Sequence, residues 1–272
     1  MTLNHVRRGE GEPLLLVHGI GGEWQSWEPL LDRLAAEREV VAVDVPGFGG
    51  SPPLPSGRRP NVPALAEAVA AFVGEHVASA PVDVAGHSMG GWIGLELAKM
   101  GVARRVVPVA PAGFWTRWEA EYGRAVLKLT AWTSRNLTSL LERGFVRPRA
   151  RAALAAGQFG HPERVTASAL KRLNDSLVAS SGFDDTLAAM NSERFADGER
   201  IGVPVTIVWG TRDSLLLPRQ AHRAAREIPG AELVWVEGGG HFAHWDDPEL
   251  VTRAVLGSGA GLRRLAEQEA RD

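Results

Sequence analysis

One stretch of the chain, residues 82–95 (VDVAGHSMGGWIGL), constrains the fold more than any other. It starts with alternating β-branched residues, passes through a Gly-x-Ser-x-Gly turn at 86–90, and continues with apolar residues at helical spacing. The pattern predicts a strand, a sharp turn and a helix, with Ser88 at the tip of the turn. A turn this tight needs small residues two positions either side of Ser88, as Gly86 and Gly90 are. The amides of Ser88 and Met89 then lie at a helix N-terminus, which favours an anion.

Composition and charge restrict the class of partner. The 272 residues suit one large α/β domain, or a domain with a sizeable insertion. The formal net charge is -2 with both signs interspersed, so the sequence has no basic footprint for nucleic acid or an anionic membrane. The absence of cysteine excludes disulfides, thiolate chemistry and cysteine-ligated metals. We therefore expect a small-molecule substrate, and neither nucleic acid nor membrane as a partner.

Location and cofactors are predicted from features that the sequence lacks. Residues 1–8 contain no apolar segment typical of export signals, and no apolar run is long enough to span a bilayer. These features predict a cytoplasmic protein. Asp184, Asp185 and Glu193 have no histidine nearby at metal-ligand spacing, so a solvated face is expected there. We predict neither a metal nor a cofactor.

Apolar segments alternate with amphipathic segments over most of the chain. They predict an edge strand near 3–6 and strands at 14–17, 40–44, 82–86, 104–109, 204–209 and 232–236. The intervening patterns predict helices at 27–34, 60–77 and 218–228. This alternation favours an α/β core formed by residues 1–113 and 203–256.

Residues 114–202 differ from the rest because strand patterns disappear and helical spacing dominates. An insertion of helices between two sheet strands predicts a cap over the strand ends, where an open α/β sheet binds its ligand. Among the aromatic residues of this cap, Trp115, Trp118 and Trp132 are the candidates for substrate contacts. Exposed cap aromatics could also support a homodimer. The tail at 257–272 is rich in Gly and Ser and then charged, so we expect it to be flexible or weakly helical.

Three residues of complementary chemistry each follow a predicted strand. A serine hydroxyl needs a base, and the base needs a third group that fixes its tautomer. Ser88, Asp213 and His241 occur in the chain order expected for such a sheet, and parallel strands would bring them to one edge. We prefer His241 to His244 as the base because it directly follows three glycines, which give its loop room.

A second glycine-rich loop, His18-Gly19-Ile20-Gly21-Gly22, follows the strand at 14–17. Glycines let such a loop turn a backbone N–H toward a ligand, so Ile20 is the expected second oxyanion donor beside Met89. His18 is expected to bond loop backbone and Asp44 to bond loop amides. His87, next to Ser88, is expected to point away from the substrate.

These motifs resemble the α/β-hydrolase superfamily, and in particular its capped serine esterase and meta-cleavage-product hydrolase branches. The likeness covers roughly residues 12–256 and rests on His18-Gly19, the segment 44–51, Gly86–Gly91, the segment 209–213 and Gly240-His241. It implies a mostly parallel, doubly wound sheet of about eight strands with an inserted helical cap. Because the N-terminus is short, the first of these strands could be missing. It also implies Ser88 as nucleophile, His241 as base and Asp213 as its orienting acid, with the Ile20 and Met89 amides as oxyanion hole.

The sequence leaves three functions open. A serine at the turn excludes the aspartate-based dehalogenases and epoxide hydrolases that the resemblance includes. The oxyanion loop lacks the glycine patterns that carbon–carbon hydrolases often carry, which favours small to medium, largely apolar esters. Carbon–carbon cleavage of vinylogous diketone acids would need a carboxylate-binding group, for which Arg117, Arg124 and Arg172 are candidates. A ligand-binding homologue without turnover is the third possibility.

Overall fold

The computed structural model describes residues 1–257, which form a seven-stranded sheet with helices on both faces. The predicted tail therefore lies outside the described residues, except for Gly257. The strands are β1 His5–Arg8, β2 Pro13–Val17, β3 Glu39–Val43, β4 Val82–His87, β5 Ala103–Val109, β6 Thr206–Gly210 and β7 Glu232–Val236. Their order in the sheet is β1-β3-β2-β4-β5-β6-β7.

All neighbouring strands pair in parallel except β1, which pairs antiparallel with β3. The central strands consist mostly of buried aliphatic residues, as expected for a parallel sheet covered on both faces. The predicted mostly parallel, doubly wound sheet is confirmed. Seven strands agree with the expectation that the opening strand could be missing.

Helices connect these strands and bury both faces of the sheet. The core helices are α1 Glu28–Ala35, α2 Val62–His76, α3 Met89–Lys99, α9 Arg219–Glu227, α10 Ala243–Asp246 and α11 Pro248–Leu256. One apolar cluster joins the sheet to α2, α3 and α9, and a second joins the opposite face to α1 and α11. Each cluster is the buried stripe of amphipathic helices packed against one side of the pleat.

Five helices lie between β5 and β6. They are α4 Arg117–Asn136, α5 Thr138–Phe145, α6 Pro148–Ala155, α7 Ala167–Ala179 and α8 Phe183–Asn191. Thr116 and Glu119 form a capping box that starts α4. The cap has an apolar cluster of its own around Phe145, Phe159 and Leu170, against which Phe242 of the core packs.

Predicted and observed elements differ mainly at their ends. The edge strand predicted near 3–6 is observed at 5–8, and Leu3 is buried in the core before it. Short 3-10 helices at Trp24–Trp27, Pro162–Arg164 and Gly198–Arg200, and the helices α10 and α11, carry no sequence prediction. Within the described part of the chain, no helix combines the length and apolarity needed to cross a membrane.

Candidate active site

The carboxyl ends of the parallel strands bring together loops that are distant in sequence. The glycine-rich loop follows β2, Ser88 follows β4, Asp213 follows β6 and His241 follows β7. In an open parallel sheet this edge is where ligands bind. Ser88, His241 and the glycine-rich loop line one cavity at this edge, beneath the cap helices.

The backbone around Ser88 is held in a conformation that only tight packing maintains. Ser88 has φ 54° and ψ -115°, an unusual combination for a residue with a side chain. A Cβ on Gly86 would lie 2.1 Å from the carbonyl oxygen of Gly90, and one on Gly90 would lie 2.2 Å from that of Val17. The amide of Ser88 donates to the Val109 carbonyl at 2.9 Å, which ties the turn to β5. The sequence prediction that both glycines are needed for close backbone approach agrees with this packing.

His241 and Asp213 form a buried pair. The Nδ1 atom of His241 lies 2.8 Å from Oδ2 of Asp213. The other carboxylate oxygen of Asp213 accepts hydrogen bonds from the amides of Leu215 and Leu216, both at 2.9 Å. An ionised carboxylate only accepts hydrogen bonds, so this pairing keeps the proton on Nδ1 and leaves a lone pair on Nε2 of His241.

Asp246 fixes the loop that carries His241, a role that the sequence analysis did not predict. Its Oδ2 accepts from the amides of Gly240 at 2.7 Å and Gly160 at 2.9 Å, and its Oδ1 accepts from the amide of His161 at 2.8 Å. Gly160 and His161 belong to the cap, so one carboxylate joins the histidine loop to the cap. The sequence signal for this role is an aspartate five residues after a candidate base. Such a spacing is too common to be interpreted without the fold.

The glycine-rich loop has a defined peptide orientation. The carbonyl oxygen of Gly19 accepts from the amide of Gly22 at 3.0 Å and from Nδ1 of His18 at 2.7 Å. The amide of Val45 donates to Nε2 of His18 at 2.9 Å, so His18 is neutral with its proton on Nδ1. Burial lowers the pKa of His18, which keeps it in this state. In a trans peptide N–H and C=O point in opposite directions, so the amide of Ile20 points away from His18.

Ser88 lies directly beside this loop. A Cβ built on Gly19 would lie 3.1 Å from the Cβ of Ser88, so any larger residue at position 19 would crowd the serine. Ile20 lines the cavity with Ser88, and Met89 is the first residue of α3. Amides in the first turn of a helix have no acceptor within the helix. Both predicted donors, the amides of Ile20 and Met89, thus flank the serine.

Asp44 has the structural role that the sequence predicted. Its carboxylate accepts hydrogen bonds from the amides of Trp24 at 2.8 Å and Gly50 at 2.9 Å, and from the side chain of Asn4 at 2.6 Å. These bonds join the residue before β1, the segment before α1 and the loop after β3. Asp44 does not line the cavity that contains Ser88.

The imidazole of His87 lies against the loop that carries His241. Its Nε2 donates to the backbone carbonyl of His241 at 3.0 Å, and its ring centroid lies 4.7 Å from that of His241. His87 also borders the cavity that contains Ser88, and its orientation away from the substrate stays a prediction. Burial, followed by the nearby His241 and His244, holds the pKa of His87 well below its usual value. A neutral imidazole therefore supports the backbone of His241.

His244 is the third imidazole of this group, and its ring is tilted against that of His87. Its Nε2 lies 3.1 Å from the carbonyl oxygen of Ser26, and its ring centroid is 4.7 Å from that of His87. Burial lowers the pKa of His244 to about 3. Since Asp213 contacts His241 instead, the sequence-based preference for His241 over His244 agrees with the geometry.

The cavity beside Ser88 has a volume of about 290 Å³, and no Asp, Glu, Lys or Arg among the described residues lines it. The wall is mainly apolar and comes from the cap helices α4 to α7, with Leu127, Phe145, Leu170 and Leu177 among its residues. Its few polar groups include Thr130 and Asn174, and the side-chain amide nitrogen of Asn174 is buried without a partner. Such a wall suits an uncharged ligand with one group that accepts a hydrogen bond.

The three tryptophans predicted to contact substrate do not line this cavity, so that assignment is corrected. Trp118 and Trp132 are 54% and 55% exposed on the outer face of α4. Trp115 is buried, and its indole N–H donates to the carbonyl of Glu193. The cavity face of α4 instead presents aliphatic, Thr and Ser side chains between 126 and 134. Aromatic content alone did not indicate which face of the helix points inward.

None of the three arginines considered for carboxylate binding reaches the cavity. Arg124 pairs with Glu121 at 2.5 Å, and Arg172 pairs with Glu28 at 2.5 Å. Arg117 is exposed at the start of α4. In residues 1–257, no group of three or more His, Asp or Glu side chains is arranged to hold a metal ion.

Known proteins resemble the chain in both sequence and structure. The dihydrolipoyllysine-residue acetyltransferase component of the acetoin cleaving system of Pseudomonas putida is 30% identical over 260 residues, covering 90% of this chain and 63% of that protein. The chain therefore spans less than two thirds of the length of that relative. The (E)-2-((N-methylformamido)methylene)succinate hydrolase of Acinetobacter baylyi is 25% identical over 93% of this chain and 92% of its own.

Solved structures share the fold at low identity. A thermophilic esterase from Thermogutta terrifontis superposes with a TM-score of 0.74 at 20% identity, covering 96% of this chain and 93% of its own. The enol-lactonase from Burkholderia xenovorans LB400 superposes with a TM-score of 0.72 at 22% identity, covering 94% and 95%. The sequence model of the alpha/beta hydrolase family matches residues 14–254. With nearly the whole core and cap inside that match, the chain belongs to the alpha/beta hydrolase family.

Proposed function

We propose that the protein is a serine hydrolase of small to medium, uncharged and largely apolar carboxylic esters. The observation that carries the proposal is the buried His241–Asp213 pair, 2.8 Å apart, whose histidine lines the same cavity as Ser88. A serine, an oriented imidazole and a carboxylate are the groups that acyl transfer needs. The family membership supports hydrolysis as the reaction class.

In the proposed reaction, Nε2 of His241 accepts the proton of Ser88 while Oγ attacks the ester carbonyl carbon. The tetrahedral intermediate collapses, the bond to the alcohol oxygen breaks, and the alcohol leaves with the proton from His241. Water then gives a proton to His241 and attacks the acyl-serine. Collapse of the second intermediate returns the proton to Ser88 and releases the carboxylic acid. Asp213 balances the charge of the imidazolium in both halves.

The amides of Ile20 and Met89 are the proposed oxyanion donors. They come from the glycine-rich loop and from the first residue of α3, and the two segments meet at Ser88. A donor of this kind stabilises the transition state by about 3 kcal/mol. The bonds of His18 to the Gly19 carbonyl and to Val45 keep the loop peptide in this orientation.

The cavity wall favours neutral esters over carboxylate-bearing substrates. A vinylogous diketone acid would bring a negative charge into a space of about 290 Å³ that no Lys or Arg of residues 1–257 lines. Burial of an unpaired carboxylate costs several kcal/mol, so such a substrate would be excluded. We therefore do not assign carbon–carbon bond hydrolysis to this site.

Replacement of the nucleophile tests the proposal. We expect Ser88→Ala to lower kcat for p-nitrophenyl butyrate by roughly 10³-fold or more, because the acyl-enzyme cannot form. A fluorophosphonate probe should label the wild-type protein and leave the variant unlabelled. Circular dichroism and thermal unfolding of the variant serve as the control for folding. Unchanged turnover in a folded Ser88→Ala protein would exclude Ser88 as nucleophile, and a wild-type protein that neither reacts nor labels would leave ligand binding as its role.

A further inference from the structure

The outer face of the cap exposes most of the large apolar side chains on the surface. Within residues 1–257, eight of the eleven exposed large hydrophobic residues lie between positions 118 and 154. We call this surface, on α4, α5 and α6, the cap face. Its apolar residues are Trp118, Tyr122, Leu129, Trp132, Leu137, Leu140, Val146 and Leu154.

The apolar residues of α4 form one stripe along the helix. Trp118, Tyr122, Leu129 and Trp132 recur at intervals of three, four and seven residues, which places them on one side. Leu129 is 63% exposed, and both tryptophans are more than half exposed. The opposite side of the helix faces the cavity. The helix α4 thus has two apolar surfaces: one packs inside the protein, and the stripe is exposed to solvent.

The cap face is also strongly basic, although the whole chain is slightly acidic. Residues 117–155 contain eight Lys and Arg and three Glu, a surplus of five positive charges in a chain of net charge -2. The three acids are already paired: Glu119 with Arg219 and Arg223, Glu121 with Arg124, and Glu142 with Lys171. The net charge of the whole chain therefore does not indicate how basic the cap face is.

Several cations of the cap face have no acidic partner. Across the described part of the chain, no carboxylate lies within 4.0 Å of Arg117, Lys128, Arg143, Arg147 or Arg149. Lys128 directly precedes Leu129, and Arg147 directly follows Val146. Unpaired cations are therefore interleaved with exposed apolar side chains along α4 and in the turn between α5 and α6.

We propose that the cap face docks onto a bilayer containing anionic phospholipid. Tryptophan and tyrosine side chains prefer the boundary between headgroups and acyl chains, and lysine and arginine are attracted to the negative surface potential of anionic lipids. This mode of binding needs no helix that spans the membrane. A second copy of the chain is a poorer occupant, because two cap faces related by a two-fold axis would bring their positive charges together.

Leu154 links the cap face to the cavity. It is 45% exposed on the surface and also lines the cavity that contains Ser88. Docking through the cap face would therefore place one wall of the cavity at the lipid. For an esterase of apolar substrates, this position gives esters dissolved in the bilayer a short path to the serine. This consequence depends on the proposed function, whereas membrane binding does not.

Co-sedimentation with lipid vesicles tests the proposal. We expect the protein, and equally its Ser88→Ala variant, to bind vesicles of phosphatidylcholine mixed with phosphatidylglycerol at least about tenfold better than vesicles of phosphatidylcholine alone. High salt should reduce this binding, since surface attraction is screened. Because the readout is sedimentation, it does not depend on whether Ser88 is a nucleophile.

Matched variants locate the surface. The pairs Arg143→Glu with Arg147→Glu, and Leu129→Ser with Trp132→Ser, should each reduce vesicle binding about tenfold or more. The controls are Arg33→Glu with Arg200→Glu, and Met100→Ser, which change exposed charge or apolar area elsewhere. The controls should bind as the wild type does. These cap-face and control variants should match the circular dichroism spectrum and thermal unfolding of the wild type, which shows that they fold, and should hydrolyse a soluble p-nitrophenyl ester at its rate without vesicles.

Three results would overturn the proposal. One is an absence of binding to anionic vesicles. Another is equal loss of binding in the cap-face variants and the controls. The third is a concentration-dependent dimer, seen by analytical ultracentrifugation, that the cap-face variants dissociate. That last outcome would assign the surface to a second copy of the chain.

Discussion

The turn that carries Ser88 and the loop that carries His241 are held by different parts of the molecule. Backbone packing within the core holds the turn, through Gly86, Gly90 and the bond of the Ser88 amide to Val109. Polar bonds to the cap hold the loop, because Asp246 accepts amide hydrogen bonds from both Gly240 and the cap segment at 160–161. The difference indicates that the sheet sets the position of the serine, whereas the cap takes part in setting that of the imidazole.

The largest expected effect is at the turn. Gly90→Ala would place a Cβ 2.2 Å from the carbonyl oxygen of Val17, and the atoms that this Cβ would contact belong to the backbone. We expect a loss of more than about 4 kcal/mol in the free energy of unfolding, or no folded protein, measured by urea unfolding. Gly74→Ala in α2 is the control, because its added Cβ would have no atom of another described segment within 4 Å. It should stabilise the protein by about 0.5–1 kcal/mol, as expected in a helix interior. Equal stability of the two variants would contradict the packing argument.

An intermediate effect is expected at the loop. Asp246→Asn replaces an acceptor-only carboxylate by an amide, and cannot accept from Gly240, Gly160 and His161 together. We expect kcat for p-nitrophenyl butyrate to fall by about 10²-fold, since a base displaced by a small distance loses its alignment. The adjacent Asp247→Asn is the control, because Asp247 caps α11 and asparagine caps helices equally well. If Asp246→Asn retained the rate and pH profile of the wild type, the cap would have no part in positioning His241.

The smallest effect concerns pH. Burial lowers the pKa of His244 to about 3, whereas an unfolded chain has a histidine pKa of about 6.5. The unfolded state therefore binds the proton first, so stability is full above about pH 6.5 and falls as pH decreases toward 3. Each such histidine contributes up to about 1.4 kcal/mol per pH unit to this slope. Above about pH 4.5, carboxylates with a lowered pKa, such as Glu119, contribute little to the change of the unfolding free energy with pH.

Denaturant unfolding between pH 7 and pH 5 measures this slope. His244→Gln should flatten it, because one titrating group is removed while a side-chain donor to the Ser26 carbonyl can be retained. His222→Gln replaces an exposed imidazole beside Trp235 and should leave the slope as it is. A slope that does not differ between these two variants would show that the imidazole group near His241 does not make the fold sensitive to acid.

The elements of the core could be predicted from sequence because their signals are local. Residues 82–95 contain the apolar run, the small residues and the helical spacing of a strand–turn–helix in one segment. Asp213 and His241 could be placed at the same edge because each follows a strand of a parallel sheet. In both cases the periodicity of the sequence identifies the strand. The parallel topology then places the carboxyl ends of these strands at the same edge of the sheet.

The remaining features depend on packing between segments that are distant in sequence. Which side of α4 faces the cavity is decided by how α4 lies against α7 and α8, so Trp118 and Trp132 could not be placed. The bonds of Asp246 to Gly160 and His161 join residues that are separated by more than eighty positions. The hydrogen bond of His87 could not be predicted for the same reason, since its partner is the backbone of His241.

The close approach of Gly160 to the histidine loop has a consequence for protein engineering. A Cβ at position 160 would lie 1.8 Å from the Gly238 carbonyl oxygen, so the two backbones are in direct contact. Exchange of the cap between relatives is a route to altered substrate selectivity. A transplanted cap would lack the close backbone contact between Gly160 and Gly238. A functional chimera would have to keep the segment 158–161 together with its recipient's Asp246.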